Sequence, residues 1–183
     1  STDQCANSIK NIDNEFNAFQ SGGKIIPFDN EHILLSIGDY RLRYLAQEKK
    51  SINGKILKIN IDNNIFEIIS MGHRNPQGLY FDKEKNIILE TEHGPMGGDE
   101  INLIQVSKIN DEKIQNYGWA VVSAGEHYGG KVKKNDDKYK KYPLYKSHSK
   151  HGFIEPLKTF VPSIAISEIV KIAENKYAFG SMG

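Results

Sequence analysis

The chain has 183 residues, a net charge of +1 and a single cysteine, Cys5. That length holds one domain with a real core, and the near-zero charge sets up no field that would draw the chain to nucleic acid or to a membrane surface. No apolar run approaches the ~18 residues a membrane span needs, and one thiol closes no internal disulfide.

The first five residues are polar and lack the basic-then-apolar order of a signal peptide. Residues 23–28 and 32–37 are apolar runs around an Asp29-Asn30 turn, which predicts a hairpin. In residues 54–62, Ile and Leu alternate with Lys and Asn, the period of a half-buried strand. An Asp62-Asn63-Asn64 turn leads into a strand at 65–69. A second hairpin joins 78–81 to 86–91, and 100–104 adds another strand. Asn110 and Asp111 argue against a continuous helix over 101–114. Residues 131–151 carry many Lys and Tyr and are expected to form a polar loop inserted in the single domain 1–183. Lys with Tyr also suits single-stranded nucleic acid, but the neutral overall charge weighs against that partner. Near the end, 164–172 and 177–179 frame a Glu174-Asn175-Lys176 turn.

Short strands with polar turns and no helix of ten residues predict an all-β fold, a sandwich, barrel or propeller. The hairpin-plus-strand unit recurs at about forty residues, the size of a propeller blade. At that size the chain supplies about three to four blades, an arc of a larger ring.

Three segments carry candidate chemistry. In residues 72–79, Gly72 allows a sharp turn and Pro76 stiffens the backbone, so His73, Arg74, Asn75 and Gln77 share one loop. Arg offers a bidentate fork and Asn a donor and an acceptor, a set suited to a planar anion; a turn bonding its own backbone is the alternative. In residues 91–100, glycines around Pro95 with acids at both ends could present carbonyls and carboxylates to calcium, or simply form a Gly-rich loop. Glu92-His93 and Glu126-His127 lack the second His of a zinc helix motif. The aromatic pair in residues 116–119 suits packing at the start of a strand.

The order of these motifs is recognisable. GHRNPQGLYF (72–81), TEHGPMGGDEINLI (91–104), NYGW (116–119) and EPLKTFVPSIA (155–165) resemble the glucose/sorbosone dehydrogenase family. QSGGKIIPFDNEHILLSIGD (20–39) and GKILKINID (54–62) match it upstream, so the resemblance covers about residues 18–183. It implies a six-bladed β-propeller that oxidises aldose sugars by hydride transfer to calcium-bound pyrroloquinoline quinone. It also implies an external electron acceptor and a periplasmic or extracellular location, and it allows a homodimer. By resemblance, Arg74, Asn75 and His93 contact the quinone, Asp99 and His93 are the catalytic candidates, and the Gly94 and Pro95 carbonyls bind its calcium. Glu100 and the Tyr117 carbonyl match a second calcium site. Catalytic members carry a His as general base where this chain has Phe19, and a cofactor Lys near the position of Gly183. Phe19 cannot accept a proton, so a non-catalytic binding or scaffold propeller is the alternative, and His73 or His93 would be a substitute base.

Overall fold

The computed structural model describes residues 19–109, 113–128 and 137–182. Cys5, Gly183 and the first part of the 131–151 segment lie outside the described residues.

The strands form where the alternating and apolar runs predict them. β1 (Gly22–Pro27), β2 (His32–Ile37), β3 (Lys55–Asn60) and β4 (Phe66–Met71) pair antiparallel in chain order. β5 (Pro76–Asp82), β6 (Ile87–Glu92) and β7 (Asp99–Gln105) form the next antiparallel set. β8 (Gln115–Asn116) returns to lie parallel to β4, closing the first sheet. β9 (Lys158–Phe160) completes the second sheet against β7. β10 (Ile169–Ala173) and β11 (Lys176–Phe179) make a hairpin around the expected turn, although residues 164–168 ahead of it are not strand. β8 and β9 were not predicted, because two or three residues are too few to show a period. Among the described residues, helix is confined to 3-10 turns and one short helix, α1 (Asp137–Lys141), and none is long and apolar enough to cross a membrane.

The leading strands β1, β5 and β10 lie side by side, as the first strands of successive propeller blades do. Leu34, Ile56 and Ile69 from the first sheet meet Leu79, Ile88 and Ile104 from the second, with Tyr117 in the same cluster. Leu89 and Ile101 meet Ile166 and Ile169, which joins the second sheet to the last hairpin. Among the described residues the result is an arc of a β-propeller: two sheets of four and five strands and an opening hairpin, with no closed ring.

Two expectations change here. The described part of the 131–151 segment is not all solvated: Leu144 and His148 are buried, and Leu144 packs with Ala46, Trp119 and Ala120. One Leu and one His carry that burial, and the Lys-rich composition around them hides it. Lys55, expected on the polar side of β3, has no exposed surface.

Candidate functional site

The loop between β4 and β5 is built by its glycine. Gly72 sits at φ +78°, and a Cβ there would lie 2.3 Å from Asn116 Oδ1 and 2.5 Å from the Gly118 nitrogen. The turn it permits sends neighbouring side chains opposite ways. His73 points into the core, where its ring stacks on Tyr117 at 5.1 Å. His73 is therefore removed from the candidate bases. Arg74 faces a cavity at the loop end of the sheets, with Asn75 beside it. Gln77 does not line this cavity; it donates to Asn75 Oδ1 (2.9 Å), which also accepts from the Gly22 nitrogen (3.2 Å). Those two bonds occupy the Asn75 carbonyl and leave its NH₂ as the group able to donate to a ligand.

Glu92, at the end of β6, holds this loop in place. Its Oε2 accepts from the backbone N–H of Arg74 (2.5 Å) and of Asn75 (3.3 Å). The Arg74 guanidinium donates from Nη1 to the His93 carbonyl (2.8 Å) and from Nη2 to the Gln20 amide oxygen (2.8 Å). Its Nε is buried without a partner, and so is His93 Nε2. Burial pushes the Arg74 pKa down, and the Asp39 carboxyl is the strongest influence opposing that.

The loop between β6 and β7 turns tightly at Gly94, where a Cβ would lie 1.6 Å from the Gly98 carbonyl oxygen. Asp99 locks the turn. Its Oδ1 accepts from the Gly94 nitrogen (3.1 Å), and its Oδ2 accepts from the nitrogens of Ile164 (3.0 Å) and Ile166 (3.2 Å). Both oxygens of this buried carboxyl are thus committed to backbone, which fits a group that ties the β6–β7 loop to the segment ahead of β10. The Pro95 carbonyl accepts from the Gly98 nitrogen (3.2 Å) and from Ser163 Oγ (3.4 Å).

Together these loops surround a cavity of about 390 Å³, with Arg74, Asn75, His93, Gly94 and Asp99 in its wall. Glu100, Tyr117 and Pro95 lie elsewhere, around a separate hollow of about 10 Å³ that Arg74, Glu92 and Gly94 also line. A hollow that small holds about one water or ion. Glu100 is buried with His148 Nε2 3.5 Å away; burial pushes its carboxyl pKa up and His148 opposes the rise.

Several residues of the main site were missed. Gln20 and Arg41 line the cavity, and Tyr128 faces the Arg74 guanidinium at 6.0 Å. Phe19 is 62% exposed at the rim, with the Arg41 guanidinium 4.3 Å from its ring centroid. Asp39 has no exposed surface; it accepts from Trp119 Nε1 (2.7 Å), the Arg41 nitrogen (2.8 Å) and the Gln20 amide (2.7 Å). Burial pushes its pKa up to about 6, against the Trp119 hydrogen bond and the Arg74 charge. The one signal for Asp39 in the sequence is an acid one glycine beyond the apolar run of β2. Arg41 gives no such signal, since its placement follows from positive φ at Tyr40 (49°) and at Arg41 itself (65°).

The family model described as glucose/sorbosone dehydrogenase matches residues 7–180. An uncharacterised Synechocystis protein is 35% identical over 169 residues, covering 80% of this chain and 37% of the relative. The aldose sugar dehydrogenase YliI of Escherichia coli is 33% identical over 122 residues, covering 60% of this chain and 31% of the relative. Among solved structures, the aldose sugar dehydrogenase of Streptomyces coelicolor in its PQQ-bound form aligns at a TM-score of 0.60 with 26% identity, over 88% of this chain and 42% of that one. The chain thus spans about a third of the curated relatives it matches. With nearly the whole chain matched and the motif loops gathered around one cavity, the chain belongs to the glucose/sorbosone dehydrogenase family.

Proposed function

We propose that this chain supplies part of the cofactor cradle of a sugar dehydrogenase that transfers hydride from an aldose to calcium-bound pyrroloquinoline quinone. One observation carries the reading: two buried, unpartnered nitrogens, Arg74 Nε and His93 Nε2, belong to residues of one 390 Å³ cavity. Unsatisfied buried donors are costly unless a ligand meets them, and the set suits a flat polycarboxylate. When bound, the quinone accepts the hydride and calcium polarises its carbonyl.

The chain's own residues do the rest. Arg74 and the Asn75 amide orient the acid. Gly94 offers a carbonyl for calcium, and Pro95 offers one if Ser163 Oγ, its longer partner, turns away. Asp99 positions the loops, and the His93 imidazole is the wall's candidate for accepting a proton. Glu100 and Tyr117 line the small hollow, and a carboxylate and a carbonyl there would suit a second calcium. An aldose substrate, an external electron acceptor and an exported location belong to the same reading.

The test is a quinone titration followed by Trp119 fluorescence, beside aldose-dependent dye reduction with calcium present. Arg74→Ala should weaken quinone binding by about 10- to 100-fold, the worth of a charge-assisted hydrogen bond. Wild-type protein that neither binds quinone nor reduces dye with any aldose would end this reading.

Phe19 favours a second reading, a propeller that binds without turning over sugar. A phenyl ring occupies the rim where the family carries its base. Phe19→His separates the two: turnover that rises by about 10²-fold or more shows an otherwise intact site lacking its base, whereas no turnover in either protein supports the second reading and turnover already present in the wild type sets it aside.

A further inference from the structure

Behind the cofactor loop lies a second constellation of a different chemical kind. Glu90 and Glu92 sit two residues apart on β6, so they project from the same face. Across the sheet, Glu90 is paired with Asn102 and Glu92 with Glu100. His73 meets this face from the β4–β5 loop. His73 and Glu90 have no exposed surface and Glu92 is 3% exposed.

We propose that His73, Glu90 and Glu92 bind a small divalent transition-metal cation of the zinc class. His73 Nε2 lies 2.8 Å from Ser70 Oγ. With Nε2–H donating there, Nδ1 carries a lone pair that faces both carboxylates. It has no hydrogen-bond partner, and it lies 3.7 Å from Glu90 Oε2 and 3.6 Å from Glu92 Oε1. One ligand atom from each of the three residues falls within 4.8 Å of the other two. Tetrahedral zinc, with bonds of about 2.0–2.2 Å, holds its ligand atoms about 3.4 Å apart. A direct charge-assisted pair would close to about 2.7–2.9 Å. The measured separations sit by the first value.

The charge balance agrees. Among the described residues, no Lys or Arg lies within ion-pair distance of Glu90 or Glu92. Glu90 Oε1 and Asn102 Oδ1 are also buried without partners. Buried carboxylates without cations are strongly disfavoured, and an ion among them removes the penalty. A nitrogen ligand with only two carboxylates selects zinc over calcium, which takes six to eight oxygens. Glu92 would then ligate metal through Oε1 while Oε2 holds the Arg74 and Asn75 backbone, so the ion would stiffen the loop that carries both.

The site is tested without the sugar chemistry. Chelator-stripped protein is titrated with zinc chloride alone by calorimetry, metal content is read by mass spectrometry, and bound zinc is examined by X-ray absorption. One zinc per chain with nitrogen in its shell is expected. His73→Gln and Glu90→Gln should each weaken zinc binding at least 10-fold and leave a calcium titration unchanged. Glu90→Gln keeps the size of the side chain, so it carries the test should His73→Gln fail to fold. No zinc retained by the wild type, an all-oxygen shell, or wild-type affinity in Glu90→Gln would each overturn the proposal.

Discussion

Lys55 and Glu90 are ionisable side chains with no exposed surface, one on β3 of the first sheet and one on β6 of the second. The protein treats them differently. Lys55 Nζ donates to the carbonyls of Leu45 (2.9 Å), Ala46 (2.9 Å) and Asn53 (2.8 Å), so each ammonium N–H has an acceptor. Glu90 receives one hydrogen bond, from Asn102 Nδ2 (2.9 Å), and its other oxygen has none. Burial, with the nearby Glu92 charge, holds its pKa well above the usual carboxylate range. A buried charge with every bond made is a structural brace. A buried charge with bonds unmade points to something else that completes it, and the same distinction separates Asp99 from Arg74 and His93 in the cavity wall.

Replacing the brace sharpens the comparison most. Lys55→Met removes three hydrogen bonds from one cationic donor, leaving the Leu45 and Ala46 carbonyls only their bonds from the Glu48 and Gly72 nitrogens, and should cost about 4 kcal/mol in urea unfolding, given about 1.5 kcal/mol or somewhat less for each such bond. A loss below about 1 kcal/mol would show that water replaces the ammonium, and the contrast with Glu90 would fail.

Asp39 lies between the two cases, fully hydrogen-bonded yet with its pKa raised from 3.8 to about 6 by burial. The sign follows from proton uptake. Between those two values the folded state keeps a proton that the unfolded chain has released, so stability falls as pH rises from about 4 to about 6. The facing charges of Arg74 and Arg43 stay on throughout that range. The shift of about two units corresponds to about 3 kcal/mol. Asp39→Asn should lack this fall, and unfolding curves at pH 4 and pH 6.5 for both proteins measure it. Parallel pH profiles would mean that Asp39 titrates alike folded and unfolded.

The smallest change is expected at the incomplete charge. In chelator-treated protein, Glu90→Gln removes one of two neighbouring buried carboxylates and should raise stability by about 1 kcal/mol. A loss of similar size would show that Glu90 is already satisfied, as Lys55 is.

Much of the fold was legible. Strands β1 to β7 and the last hairpin lie where alternation, apolar runs and Asn-rich turns put them. Arg74, Asn75, His93, Gly94 and Asp99 were candidates from their motifs, and the structure gathers all five at one cavity. Glu100, Tyr117 and Pro95 were candidates too, but they surround the separate smaller hollow. Gln20 and Arg41 were missed because nothing near them in the chain announces the contact, and Asp39 because an acid after an apolar run marks the end of a strand as readily as a site. Gln20 reaches Arg74 only across the interface between β1 and β5.

The sequence by itself determined the strands, their turns and the grouping of polar residues on two loops, because these depend on neighbours a few positions away. Only the tertiary structure decided that His73 turns inward while Arg74 turns toward the cavity, and that Lys55 and Glu90 are closed off from water. A period of two says that neighbouring side chains take opposite faces. Which face is then covered depends on packing between segments far apart in the chain.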